Sequence, residues 1–185
     1  MAPTGAQTSL CAGILCYGQP YETLSFRLFS MNLFDAIQRV PSSALWLGLA
    51  GLLPFWLPLL PHTGFEGLTS PDQAVIIQMA YAAIILSFLG GIRWGAALKL
   101  PRGPLQSTLF VLSVVPSLAG FAALILPVTA GLLILIGGFL VQGVWDIQSS
   151  QHKQLPPWFG VLRAILTAGA VLALIVTSVI HLARS

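Results

Sequence analysis

A chain of 185 residues that is 56% hydrophobic and only 7% charged, with mean hydropathy +0.89, lacks the polar side chains to cover a soluble surface, where about a quarter of residues would be charged. The composition excludes an ordinary soluble domain and describes one membrane-embedded bundle. The net charge of +3 comes from 8 thinly spread Lys and Arg against 5 Asp and Glu, which excludes a nucleic-acid footprint and makes the basic residues topology determinants.

Residues 1–30 lack both the basic start and the continuous apolar centre of a secretory signal, and one arginine with one glutamate makes a poor mitochondrial presequence. Two readings stand for this stretch: a polar tail without fixed structure, or a mis-assigned start upstream of initiation at Met31. Cys11 and Cys16 fall inside it with a C-x4-C spacing that is neither a zinc nor a redox signature. Residues 31–42 form a short lead-in on the cytoplasmic side, and residues 43–182 the membrane domain.

The uncharged runs give the spans. Val40 to Phe65 holds 26 residues, Gln73 to Ile92 holds 20, Gly103 to Trp145 holds 43 and Ala164 to Ala183 holds 20. Since about 20 apolar residues cross a hydrocarbon core, the longest run holds two spans and each other run one. Pro127 divides the long run, because proline starts a helix well and continues one badly. The fold class expected is an all-α integral membrane protein, a bundle of five transmembrane helices over residues 43–61, 74–98, 105–126, 129–148 and 158–182.

Orientation follows from the basic residues. Arg27 and Arg39 precede span one, Lys99 and Arg102 fill the loop between spans two and three, and Lys153 lies between spans four and five. The opposite face holds His62, Glu66 and Asp72, with Arg184 at the end. The positive-inside rule then puts the N-terminus inside and the C-terminus outside.

"LGLAGLLPF", "YAAIILSFLGGIRWGAAL", "SVVPSLAGFAALILP" and "PPWFGVLRAILT" occur in that order between residues 43 and 182. These blocks resemble the family of bacterial and mitochondrial membrane proteins typified by transmembrane protein 69. The resemblance implies a five-helix protein of the bacterial cytoplasmic membrane, or of the mitochondrial inner membrane in a eukaryote. It implies no catalytic residues.

Three ionisable residues fall inside the spans at one depth. Arg93 lies six residues before Lys99, about 9 Å deeper, Arg163 lies six residues after Pro157, and Asp146 sits near the same end of span four. An aspartate between two guanidinium groups would be neutralised with one positive charge left over, making Arg93, Asp146 and Arg163 a candidate structural ion cluster or anion- and lipid-binding site. Trp46, Trp94, Trp145 and Trp158 at the same ends form an interfacial aromatic belt. Gly90 and Gly91 in span two, with Gly137, Gly138 and Gly143 in span four, are candidate helix-packing positions.

Weaker signals complete the reading. Pro54, Pro58 and Pro61 distort the outer half of span one and Pro116 kinks span three, while Gln78, Tyr81, Ser87 and Gln142 are interhelical hydrogen-bond candidates. His62, His152 and His181 lack metal-ligand spacing, so no metal and no cofactor are expected. Laying Leu89-Gly90-Gly91 on Ile136-Gly137-Gly138 suggests a faint repeat at an offset of 47 residues. The function these residues favour is a non-catalytic accessory subunit or anionic-lipid-binding protein. Its partners would be the bilayer and either an anionic lipid or a larger membrane complex, with a homo-oligomer open. A small transporter or channel component stands second. An intramembrane enzyme acting on a lipid or quinone stands third, because the one embedded carboxylate, held between arginines, would be a poor acid.

Overall fold

The computed structural model describes residues 37–63, 69–152 and 155–184. The readings made on residues 1–30, Cys11, Cys16, Glu66 and Lys153 lie outside the described residues. Among the described residues there is no strand, and five helical segments are long and apolar enough to cross a bilayer: Ser42–Thr63, Pro71–Ala97, Pro104–Ile125, Val128–Gln151 and Pro157–Arg184. The protein is an all-α membrane protein with five spans.

Span one is broken. It consists of α1 (Ser42–Ala50), a turn, the four-residue α2 (Leu53–Trp56) and a 3-10 helix (Leu57–Thr63). Proline causes the break: Pro54, Pro58 and Pro61 each lack the N–H that an α-helix returns to a carbonyl one turn back. The other spans are single helices, α3 (Pro71–Ala97), α4 (Pro104–Ile125), α5 (Val128–Gln151) and α6 (Pro157–Arg184). Proline opens all four, at the first helical position of α3, α4 and α6 and at the cap of α5, where a missing N–H costs nothing. At the start of α3 the Ser70 hydroxyl also accepts from the Gln73 amide at 3.3 Å. Within α4 the helix continues through Pro116.

Helices α3 and α4 pack as one antiparallel pair and α5 and α6 as another, with α3 also against α5. The core between them is aliphatic and aromatic: Met79, Leu86, Leu132, Leu135, Phe139 and Leu174, with Phe55 reaching in from span one edge-on to both Tyr81 and Phe139. The faces turned outward are equally apolar, as with Ile84, Val111, Phe121 and Val141. A bundle apolar on both its inner and outer surfaces is what lipid solvation requires.

The glycines correct one expectation. A methyl on Gly90 would collide with the Ser113 carbonyl of α4, one on Gly138 would meet Leu86 at 2.7 Å, and one on Gly143 would meet Thr167 at 2.7 Å. Gly91 and Gly137, read from sequence as packing positions, have nothing within 4 Å of where a side chain would begin. Successive residues on a helix point about 100° apart, and in each of these pairs only one member faces a neighbouring helix. Helix contacts the sequence did not single out occur at Gly120 against Ala83 and at Gly131 against Ala123 and Met79. The 47-residue repeat fails on the same observation: that offset lays buried Gly90 on open Gly137 and open Gly91 on Gly138.

Candidate functional site

Helix period explains the site. On α5, Gln142, Asp146 and Ser149 recur at intervals of four and three residues and all three are buried. On α6, Arg163, Thr167, Ala170, Leu174 and Thr177 make a similar inward stripe. Arg93 lies on the buried face of α3 one turn beyond Leu89 and Gly90. The stripes meet near the end of the bundle that carries Lys99 and Arg102, called here the basic end.

There Asp146 divides its two oxygens. Oδ1 accepts from an Arg93 terminal nitrogen at 2.6 Å, and Oδ2 accepts from Arg163 Nε at 2.8 Å. The other Arg93 terminal nitrogen donates to Ser149 Oγ at 2.6 Å, and the Arg93 guanidinium carbon stands 4.4 Å from the centre of the Trp145 ring. All three charged side chains are buried, with Asp146 at 0% exposure, Arg93 at 4% and Arg163 at 5%. Hydrogen bonds between charged partners in so dry a place are strong, and removing the carboxylate would leave both guanidinium groups uncompensated.

The accounting does not close. Two guanidinium groups and one carboxylate leave a formal charge of +1, and Arg93 Nε, one terminal nitrogen of Arg163 and Thr167 Oγ1 are buried without a hydrogen-bond partner in the chain. A surplus of donors and of positive charge is the chemistry of an anion site.

The four tryptophans divide. Trp46 and Trp94 are exposed on the outer surface, Trp158 is half-buried edge-on to Phe159, and Trp145 lies beneath Arg93 as part of the cluster. Ser149 was not anticipated, although its place three residues after Asp146 puts it on the same face. The histidines stand apart: His62 Nδ1 lies 3.0 Å from an Arg184 nitrogen at the opposite end. Among the described residues no three His, Cys, Asp or Glu side chains are grouped as metal ligands.

A second polar layer lies toward that opposite end. Gln78 donates to the Phe55 carbonyl at 2.7 Å and accepts from the Thr177 hydroxyl at 2.6 Å, tying span one, α3 and α6 together. Tyr81 donates to the Gly51 carbonyl at 2.9 Å. Both carbonyls are released by the break in span one. The Phe55 amide turns to Leu52 rather than Gly51, and Pro58 has no N–H with which to close a 3-10 turn on Phe55. Elsewhere Gln142 donates to the Leu89 carbonyl at 3.5 Å, and Ser87 bonds within its own helix to Ala83.

The family model described as "Protein of unknown function (DUF3429)" matches residues 40–179, more than half of the chain and all but the ends of the five-span region. The chain belongs to this family. It is similar to "Transmembrane protein 69" of Xenopus tropicalis, 40% identical over 145 residues covering 76% of this chain and 55% of that protein. It is also similar to "Transmembrane protein 69" of Mus musculus, 34% identical over 147 residues covering 76% of this chain and 57% of that protein. The chain therefore spans a little over half the length of these curated relatives. No solved structure matches it. The family match covers Arg93, Asp146 and Arg163 and the whole of the second polar layer.

Proposed function

We propose that this DUF3429 family protein is a non-catalytic membrane protein that holds the headgroup of an anionic lipid at the Arg93, Asp146 and Arg163 cluster. The observation that carries this is the Arg163 terminal nitrogen, buried and without a partner in the chain, beside an ion cluster with one positive charge to spare. An uncompensated charge at this depth is costly, and one anionic group from the bilayer would offset it. Basic pockets between transmembrane helices are suited to acidic phospholipid headgroups.

The proposal carries an orientation. The basic end faces the cytoplasm of a bacterium, or the matrix if the membrane is the mitochondrial inner one, because Arg39, Lys99 and Arg102 lie on that side. Reporter fusions after Arg102 should then report inside and fusions after Arg184 outside. A cytoplasmic report from Arg184 would reverse the assignment.

The direct test is lipid mass spectrometry on protein purified in mild detergent. Wild type should retain an anionic phospholipid enriched over the bulk membrane. Arg163→Gln should lose that enrichment while remaining folded by circular dichroism. Equal enrichment in the two proteins would remove the basis of the proposal.

A further inference from the structure

We propose that a cavity beside Arg163 receives one acyl chain of the anionic phospholipid whose phosphodiester meets this arginine, an inference that rests on the lipid-binding reading above. The cavity has a volume of about 380 Å³ and lies between span one, α3 and α6, with Phe139 of α5 at its wall. That falls within the range of about 300–1,000 Å³ typical of small-ligand sites. Of the residues lining it, Arg163 alone is charged, and the rest are aliphatic, aromatic or glycine. Arg163 lines this otherwise apolar cavity and carries a buried terminal nitrogen with no partner in the chain, a pairing of guanidinium and apolar wall that matches an amphiphile: an acidic group at the arginine and hydrocarbon beyond it.

Three observations select a phospholipid. The cluster's surplus of one positive charge equals the single negative charge of a phosphodiester. The cavity opens sideways to the bilayer, because Leu47 and Phe88 both line it and are 75% and 66% exposed, so a chain can enter between span one and α3 without leaving the membrane. Its size suits one chain and leaves the second chain of a diacyl lipid in the bilayer. Transfer of a chain from bilayer to cavity has no hydrophobic gain, so the arginine supplies affinity and the cavity supplies selection by shape.

Native mass spectrometry of the full chain in detergent micelles tests this with four probes: dioleoyl-phosphatidylglycerol, dihexanoyl-phosphatidylglycerol, dioleoyl-phosphatidylcholine and oleate. Wild type should prefer long-chain phosphatidylglycerol to both the short-chain form and phosphatidylcholine. Ala44→Trp places bulk at a half-buried lining position. It should reduce the long-over-short preference by about threefold or more. Arg163→Gln should abolish the preference for phosphatidylglycerol over phosphatidylcholine at either chain length.

If wild type and Ala44→Trp bind long and short chains alike while Arg163→Gln still loses anion preference, the chain inference is overturned and the headgroup reading stands. If wild type shows no preference for phosphatidylglycerol over phosphatidylcholine, both fail. Oleate binding more tightly than phosphatidylglycerol would overturn the phospholipid assignment. Should Ala44→Trp fail to fold, a phosphatidylglycerol carrying a diazirine in one chain gives the same answer on wild type. Labelling confined to span one, the 85–92 stretch of α3 and the 159–170 stretch of α6 supports the cavity, and labelling spread over the outer face of α4 overturns it.

Discussion

Two polar layers cross the same apolar bundle, and they are built on opposite principles. The layer at the basic end is ionic, with Arg93, Asp146, Arg163, Ser149 and the Trp145 ring joining α3, α5 and α6. The layer toward the opposite end is neutral, with Gln78, Thr177 and Tyr81 joining span one, α3 and α6 through two freed backbone carbonyls. Gln78 and Arg93 are 15 residues apart on α3, so the layers are separated by about 22 Å. In the neutral layer every side-chain group just named finds a partner, which is the behaviour of structural glue. The ionic layer keeps donors and charge in reserve, which structure alone does not require. Under the proposed function, that reserve is what an anionic headgroup would engage, while the neutral layer holds the helices together.

The strongest way to break this contrast is to remove the carboxylate. Asp146→Asn leaves two guanidinium groups buried without a counter-charge, and breaking a buried ionic pair on one side costs about 3 to 5 kcal/mol. Arg93→Gln combined with Asp146→Asn should cost less than the sum of the two single changes, because one residual charge is gone. Thermal unfolding in detergent of wild type, both singles and the double measures this. Strict additivity would mean that the ionic layer is not a coupled unit.

The next effect in size tests the helix contacts that hold the layers in register. Gly90→Ala should destabilise by about 1 to 3 kcal/mol, since its methyl would press on the Ser113 backbone, which cannot swing aside. Gly91→Ala and Gly137→Ala have open space before them. They should be neutral or stabilise by up to about 1 kcal/mol through helix propensity. Melting temperatures of the three variants, compared in one detergent, separate the two classes.

These layers also mark how much the sequence disclosed. Charges are so rare along the chain that counting six residues inward from Lys99 and from Pro157 brings Arg93 and Arg163 to one depth, beside Asp146. The five spans were legible for the same reason. Trp145 read as an interfacial anchor because it sits near a helix end, and its half-buried ring also lies under Arg93, a contact that only the fold brings about. Glycine pairs were ambiguous because adjacent residues point about 100° apart and the sequence does not say which of the two meets a neighbour. Least legible was the neutral layer. Its acceptors are main-chain carbonyls, present at every position, and only the break in span one selects Gly51 and Phe55 from among them.

The neutral layer itself should yield smaller losses. Tyr81→Phe removes one hydrogen bond to the Gly51 carbonyl and should cost about 0.5 to 1.5 kcal/mol, at the lower end because hydrogen bonds between membrane helices average about 0.6 kcal/mol. Gln78→Leu should cost more than Tyr81→Phe, since it strands the Phe55 carbonyl and also breaks the link to Thr177, whose hydroxyl keeps only the Ala173 carbonyl. Neither change should alter the anionic-lipid enrichment. A loss of enrichment with stability intact would erase the distinction between a functional and a structural layer.

The smallest expected effect sharpens the comparison most. Thr167 lies one helical turn from Arg163, is 8% exposed, and has a hydroxyl with no hydrogen-bond partner in the chain. Valine has nearly the same shape without the hydroxyl, so Thr167→Val removes an unsatisfied buried group while keeping the contact with Gly143. If the hydroxyl serves nothing, the variant should be neutral or more stable by up to about 1 kcal/mol, the gain expected when a buried polar group without a partner is removed. Lipid enrichment should then be unchanged, and the spare capacity of the ionic layer would reside in the guanidinium groups alone. If stability rises and enrichment falls, the hydroxyl belongs to the anion site beside Arg163. The group that carries a cost in the empty protein would then be the one whose cost the bound lipid removes.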